Sequence, residues 1–322
     1  MPRGWQSTLD DLLPWLLEWE NPSARYLTLR HLLDSGEEDF QVAKARAAIP
    51  SWPPVREILA LMDGRDFWGR RDRPFYGGAM GTHATLHLLA ELGMERTPQI
   101  EAACENLLEY GQDEGGGFTP LLCHTGNAIR TLVHFGYLGD PRLEQAFEYL
   151  VARSEMDDGL TCPYGDGEGC QWGITKALGA FAALPAAERT PQRMRAVQAL
   201  ADAVLDYGFD FEGRDSRWLD FGFPLDYQSD LVELCEVLAR LDYGLDQRLG
   251  HVLTPVLSAR TADGRWVKQY GTRALQVEKR GQPSKWITIR ALRALKHKQR
   301  ILVQTEQVKL RNRPSWFNET PP

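Results

Sequence analysis

An internal repeat restricts the fold of this chain more than any other feature of its sequence. Each copy consists of a helix, a loop rich in glycine and aromatic residues, and a second helix whose apolar residues recur at helical spacing. The second helices begin about 45 to 60 residues apart, a period typical of helical-pair repeats. They contain the segments 25–33, 82–89, 126–132, 172–178, 228–234 and 285–292. Six such pairs predict an all-α (α/α)6 arrangement.

The loops within the pairs repeat an acid, a glycine and a following large residue. This pattern occurs around Gly64, Gly116, Gly159 and Gly264. Glycine permits a tight turn, and the large side chain is expected to fill the gap between neighbouring helices. These glycine-rich loops recur within the repeats and do not divide the chain. We therefore predict a single domain over residues 1–298, with residues 299–322 as a C-terminal tail.

The charge of the chain excludes some partners. Its 322 residues carry a formal net charge of −7, whereas nucleic acids and anionic membrane surfaces attract a basic face. No stretch approaches the roughly 18 apolar residues of a spanning helix, and no apolar signal-peptide core follows Met1. We therefore expect a cytoplasmic protein that neither binds nucleic acid nor inserts stably into a membrane. Its five cysteines, an odd number, favour free thiols or metal ligands over a disulfide framework.

Two loops carry a recognisable motif. Gln112-x-x-x-Gly116-x-Phe118 has the form of the QW repeat of terpenoid cyclases, and a second copy starting at Arg260 has Arg in the Gln position. Over residues 5–298 the chain resembles the superfamily of squalene–hopene cyclases and protein prenyltransferase β subunits. The resemblance implies an α/α toroid, in which an inner helix barrel is surrounded by outer helices. It also implies a central cavity for a small, largely apolar ligand, isoprenoid-like or containing a thiol.

The acidic motifs of conventional terpenoid cyclisation are missing from this sequence. Neither Asp-x-Asp-Asp, which protonates an alkene, nor Asp-Asp-x-x-Asp, which holds a diphosphate through magnesium, occurs in it. The resemblance therefore predicts the fold more firmly than the reaction.

Three cysteines lie at or near the starts of inner helices. In a closed ring Cys123, Cys162 and Cys170 are expected to meet at one rim, where a helix N-terminus favours thiolate and thiolate binds zinc. We predict a zinc site with these ligands and a fourth from His83, His124 or Asp226. The resemblance supports this, because prenyltransferase β subunits hold zinc on Asp, Cys and His, and lanthionine synthetase cyclases use a Cys-His pair similar to Cys123-His124. The alternative is that the thiols are packed as small apolar groups, which we expect for Cys104 and Cys235.

Other candidates depend on the same rim. If the protein is an enzyme, His83 or His124 is a metal ligand or proton carrier. Five aromatic residues near the inner helix starts are predicted to bind substrate: Tyr76, Trp172, Tyr227, Trp266 and Trp286. The alternative for each aromatic residue is that it seals a gap between helices.

Two rival functions remain open at this point. Asp220, Asp226 and Asp230 lie in an acidic, aromatic segment, and a carboxylate pair across the cavity suits glycoside hydrolysis. Asp230, in the first turn of an inner helix, is a catalytic candidate that alternatively stabilises the helix start. The second rival is a non-catalytic scaffold that uses zinc to join two repeats.

Overall fold

A computed structural model describes residues 5–62, 64–77, 80–165, 169–271 and 277–311, with side chains up to residue 304. These ranges contain thirteen α-helices and no β-strand. The helices are α1 (Trp5–Leu16), α2 (Pro22–His31), α3 (Phe40–Ala48), α4 (Pro53–Ala60), α5 (Thr82–Glu91), α6 (Pro98–Gly111), α7 (Leu122–His134), α8 (Pro141–Glu155), α9 (Gln171–Ala183), α10 (Pro191–Leu205), α11 (Leu231–Arg240), α12 (Leu249–Ser258) and α13 (Lys285–Arg311).

Six helices form an inner ring, in the order α2, α5, α7, α9, α11 and α13. Contacts join successive members from α5 to α13, and α13 returns to α2. The ring closes between α2 and α5, where the Ser23 hydroxyl donates to the carbonyl of Leu92 at 2.7 Å. Apart from α4, the remaining helices pack outside this ring, each against an inner helix next to it in sequence. This architecture confirms the predicted all-α toroid.

Outer helices begin at residues that favour helix starts. Thr97, Asp140 and Thr190 each accept a hydrogen bond from a backbone amide of the first turn, and each is followed by proline. A polar cap satisfies an amide that the helix leaves unpaired, and proline needs no hydrogen bond at that position. The sequence therefore marks the outer helices locally, before any packing is considered.

The large loop residues fill gaps between helices, as predicted. Trp68, Phe118 and Trp266 are all buried. The backbone amide of each donates to a threonine hydroxyl of the following inner helix, in the pairs Trp68–Thr82, Phe118–Thr125 and Trp266–Thr288. This repeated hydrogen bond fixes the loop against the inner helix, and sequence analysis did not anticipate it.

Helices α7 and α9 approach each other closely at Gly126. A Cβ atom at this position would lie 2.4 Å from the backbone carbonyl carbon of Lys176. On the facing helix, a Cβ atom at Gly173 would lie 3.0 Å from Leu122 Cβ. Glycine is thus required at position 126 because backbone meets backbone there.

Helix α13 extends beyond the predicted domain boundary. It continues to Arg311, so the first part of the segment predicted as a tail, from residue 299, is helical. Residues 312–322 lie outside the described ranges. Of the helices that are described, none has the length and apolar character needed to span a membrane.

Candidate functional site

The N-terminal ends of the inner helices α7, α9 and α11 converge at one end of the toroid. We call this end the mouth, and define it by His124, Trp172, Asp226 and Tyr227. The rings of Trp172 and Tyr227 lie 6.3 Å apart, centroid to centroid. The Asn127 side-chain amide of α7 donates to the backbone carbonyl of Asp226 at 2.7 Å. These contacts bring residues from three repeats to one place, as the toroid predicts.

Asp226 has the most unusual environment at the mouth. It is half-buried, and its φ of 54° lies in the left-handed region that non-glycine residues seldom adopt. Burial raises the pKa of its carboxyl, while the nearby Lys176 ammonium and the Tyr227 backbone amide act in the opposite direction. A raised pKa shifts a carboxyl towards the protonated form that a general acid requires.

A buried segment, residues 221–225, separates Asp226 from Asp220. Its Phe223 amide donates to the carbonyl of Tyr270 at 3.2 Å, which anchors the segment against the loop after α12. Asp220 is exposed at the other end of the segment. A recess of about 10 Å³ beside Asp220 is lined in part by Trp172, Asp220 and Tyr270. It has room for roughly one water molecule.

Asp230 caps helix α11. Its Oδ1 accepts from the backbone amide of Glu233 and its Oδ2 from that of Gly222, both at 2.8 Å. Burial raises the pKa of its carboxyl to about 7, although these two amides favour the charged form. Both oxygens therefore serve the helix start and the adjacent loop, and we assign Asp230 a structural role in place of the predicted catalytic one.

The two predicted histidines lie together under the mouth. The ring centroids of His83 and His124 are 5.4 Å apart, and Phe75 packs against both rings. Burial lowers the pKa of His124 to about 4 and that of His83 well below its usual value, and the His124 ring further disfavours a charge on His83. Neither imidazole is therefore expected to carry a positive charge near pH 7. The Nε2 atom of His83 is buried without a hydrogen-bond partner among the described residues.

The three cysteines also meet, and two of them have raised pKa values. Burial raises the pKa of Cys123 to about 12, and the nearby thiols of Cys170 and Cys162 add to this effect. Cys170 caps α9, where its sulfur accepts from the Gly173 amide at 3.4 Å. Burial nevertheless raises the pKa of Cys170, opposite to the direction expected from the helix start alone. Loss of solvent outweighs the helix dipole here.

A metal site does not emerge from this cluster. Among the residues that the structure describes, no group of three or more His, Cys, Asp or Glu side chains is arranged to hold a metal ion. Asp166 and Glu168, between Cys162 and Cys170, lie outside the described ranges. We derive no step through zinc, which stays a prediction from the sequence.

Metal analysis decides this prediction. If Cys123, Cys162 and Cys170 hold zinc, the purified chain contains about one zinc and a Cys123→Ser, Cys170→Ser variant loses it. Metal-free protein whose double variant is folded and equally stable would leave the cysteines as packed thiols. Plasma mass spectrometry on both proteins makes the comparison, and the variant Cys104→Ser controls for loss of a buried thiol elsewhere.

The predicted aromatic ligands divide between mouth, surface and core. Trp172 is half-buried and Tyr227 is 47% exposed, so both are accessible at the mouth. Tyr76 is exposed and lies beside arginine side chains. Trp266 is fully buried and its indole donates to the carbonyl of Val256 at 2.7 Å. Trp286 is buried and stacks on Phe223 at 4.8 Å. The prediction that these last two tryptophans contact a ligand is therefore corrected, because neither can reach one.

The centre of the toroid is charged. Glu233 accepts from Lys176 at 2.7 Å, from Arg130 at 2.6 Å and from the Ser229 hydroxyl at 2.8 Å. Arg130 also donates to Glu91 at 3.0 Å, which links α7 to α5. Sequence analysis passed over Glu233. A glutamate in the first turn of a largely apolar helix was the available signal.

Comparisons with known proteins support the fold alone. No protein-family model and no curated protein matches the chain. A glycosyl hydrolase of family 88 from Bacteroides vulgatus superposes with a TM-score of 0.54 at 14% identity, covering 93% of this chain and all of that one. A type II terpene cyclase from Scytonema gives a TM-score of 0.28 at 13% identity, over 77% of this chain and 96% of its own, which is too weak to support an argument. The chain is thus an α/α toroid protein.

Proposed function

We propose that this protein is a carbohydrate-active enzyme whose substrate binds at the mouth of the toroid. The observation that carries the proposal is Asp226, a carboxyl with a raised pKa in a strained backbone position beside two accessible aromatic rings. Strained residues with perturbed pKa values concentrate at functional sites.

The two accessible aspartates differ in a way that suits acid–base work on a glycoside. In this proposal half-buried Asp226 protonates the leaving oxygen, and exposed Asp220 is the candidate for the second carboxylate. The recess beside Asp220 has space for a hydrolytic water. Trp172 and Tyr227 present ring faces on which a sugar can stack.

The interior charges disfavour an apolar ligand. An isoprenoid needs an apolar wall, but the described residues at the centre of the ring include Arg130, Lys176 and Glu233. Burying hydrocarbon against charged groups gains little, because those groups would lose their partners or their remaining solvent. A toroid of the same fold is named a glycosyl hydrolase, so this fold is compatible with sugar chemistry.

Variants of Asp226 test the proposal. Wild-type protein is expected to release nitrophenol from at least one member of a panel of nitrophenyl glycosides and uronides. Asp226→Asn is expected to lower kcat by about 10² to 10⁴, the range for loss of a general acid. Asp210→Asn, in an exposed part of the same acidic segment, is the matched control and should be unchanged. A wild-type chain inactive on the whole panel, or activity unaffected by Asp226→Asn, would contradict the proposal.

A metal-dependent or scaffold role for the cysteines is the second candidate. It is supported by the proximity of three thiols from two repeats. The metal analysis described above tests it independently of any substrate.

A further inference from the structure

A cavity of about 290 Å³ lies at the end of the toroid opposite the mouth. The C-terminal parts of inner helices bound it, among them His31 of α2, Glu91 of α5 and Ala183 of α9. Its volume is near the lower end of the range for small-molecule sites, about 300 to 1,000 Å³. Its lining contains two glutamates and four arginines. They are Glu37, Glu91, Arg30, Arg130, Arg240 and Arg293.

The side chains around this cavity carry more positive charge than their ion pairs neutralise. Arg30 is matched by Glu37 at 2.9 Å, and Lys176, deeper in the ring, is matched by Glu233 at 2.7 Å. Four further arginines then share two carboxylates. Arg130 and Arg290 contact Glu91, while Arg240 and Arg293 contact Glu236. In this part of the described chain the arginines therefore exceed their carboxylates by two charges.

Two hydrogen-bond donors of these arginines also lack a partner among the described residues. The Nη1 atom of Arg290 and the Nε atom of Arg293 are buried and have no hydrogen-bond partner among the described residues. Burial, followed by the neighbouring Arg293 guanidinium, lowers the pKa of both Arg240 and Arg290 to about 9. Both guanidinium groups stay charged at neutral pH, so the arginines of this cluster repel one another.

Helix ends account for only some of these cations. Cations stabilise helix C-termini, and Arg240 does donate to the carbonyl of Ala182, near the end of α9, at 2.7 Å. Lys296 likewise donates to the carbonyls of His31 and Leu32 at the end of α2. Arg293 has no such role, because its own helix continues to Arg311 and its Nε is unpaired. Arg293 therefore caps no helix end, and its contact with Glu236 at 2.9 Å leaves its Nε for another partner.

Three histidines complete the lining without adding charge. Burial and the surrounding guanidinium groups lower the pKa values of His31 and His87 well below the usual value, and burial lowers that of His134. His87 Nδ1 pairs with the hydroxyl of Thr131 at 3.1 Å, and that hydroxyl donates to the carbonyl of Asn127. His87 must then donate from Nδ1, which leaves its Nε2 as an acceptor. In this cavity the arginines can pair with the negative charge of a ligand, and the neutral imidazoles can hydrogen-bond to a ligand hydroxyl group.

We propose that this cavity binds a small dianion, either a phosphate monoester or a dicarboxylate, through Arg130, Arg240 and Arg293. Guanidinium groups match phosphate and carboxylate oxygens with paired hydrogen bonds, and two negative charges would balance the two unmatched arginines. The site is separate from the mouth, so it is expected to serve a second ligand and not the substrate of Asp226.

Calorimetric titration of the full chain tests the proposal, with inorganic phosphate and succinate as probes and sodium chloride at equal ionic strength as the reference. We expect saturable binding of one or both dianions, and a rise in Tm that follows ligand concentration. Arg293→Met is expected to weaken binding at least tenfold, as removal of a charged hydrogen-bond donor does. Arg195→Met, on the exposed face of α10, removes an equal charge outside the cavity and should bind as wild type.

Binding no stronger than that of chloride, or equal affinity in wild type and Arg293→Met, would overturn the proposal. Should Arg293→Met fail to fold, Arg240→Gln answers the same question from another inner helix. Phosphate and succinate compared with each other distinguish the tetrahedral from the planar anion. Asp226→Asn is expected to bind the dianion normally, so failure at the mouth and failure at this cavity are distinguishable.

Discussion

Gly126→Ala is expected to destabilise the protein by about 3 kcal/mol or more, or to prevent folding, because overpacking against rigid backbone cannot be relieved by a rotamer change. The new Cβ would lie 2.4 Å from the Lys176 carbonyl carbon and oxygen, and 2.8 Å from the amide nitrogen of Ala177. Helices α7 and α9 would have to separate, and both carry residues of the mouth and of the buried charge network. Urea unfolding followed by circular dichroism measures the change.

Gly250→Ala is the matched control for that substitution. Gly250 lies in outer helix α12, where a Cβ would meet nothing within 4 Å. Alanine should leave stability unchanged or raise it by about 0.5 to 1 kcal/mol, since glycine costs more backbone entropy in a helix. Equal stability of the two variants would mean that α7 and α9 do not pack as closely as described.

Glu233→Gln is expected to cost about 3 to 5 kcal/mol, the range for breaking a buried ion pair from one side. The carboxylate is almost fully buried and is shared by Lys176 and Arg130, so its loss strands Lys176 and leaves Arg130 paired with Glu91 alone. Adding Lys176→Met to the variant should recover part of the loss, because one stranded charge is removed. Urea unfolding of the two single variants and the double variant gives the coupling.

The pH dependence of stability should change in the same variant. Burial opposes the charged form of Glu233, but Lys176 and Arg130 together hold its pKa below the usual value. A carboxyl whose pKa is lower in the folded state stabilises above its unfolded pKa, about 4.3, and the benefit disappears as pH falls through the folded pKa. The difference in stability between the wild-type protein and Glu233→Gln should therefore become smaller as the pH falls into the acid range.

An exposed ion pair provides the control for Glu233. Arg96 and Glu101 are separated by the same 2.6 Å as Arg130 and Glu233, but their side chains are 36% and 50% exposed. Glu101→Gln should cost less than about 1 kcal/mol. A similar cost for Glu101→Gln and Glu233→Gln would show that the centre of the ring is not shielded from water.

Repetition made the fold predictable from sequence. Six apolar helical stripes and the loop residues Trp68, Phe118 and Trp266 mark the inner helices and the gaps between them, and the structure agrees. The same pattern also led to the prediction that Trp266 binds a ligand, whereas its side chain is fully buried. An aromatic residue beside a glycine turn looks the same in sequence whether it seals a gap or faces a cavity, and only burial separates the two.

The site was less predictable because its chemistry arises from packing. Cys170 does cap a helix, but loss of solvent raises its pKa where the helix start alone would lower it. Asp226 was one of three aspartates in an acidic segment, and nothing local distinguished it. Its raised pKa follows from burial in the folded chain, which Lys176 only partly offsets, and its backbone carbonyl accepts from Asn127, which is distant in sequence. The pairing of Glu233 with two cations from other helices was invisible for the same reason.

Titration of the Asp226 side chain tests the central claim, that an acid able to donate a proton lies at the mouth. Nuclear magnetic resonance of protein labelled at the aspartate carboxyl carbon follows it, with Asp226→Asn identifying the signal. The account predicts a midpoint clearly above the ordinary aspartate value of about 3.9, with the proton-donating form lost as pH rises through that midpoint. A midpoint at or below the ordinary value would mean a permanently ionised carboxylate, and would contradict the role proposed for Asp226.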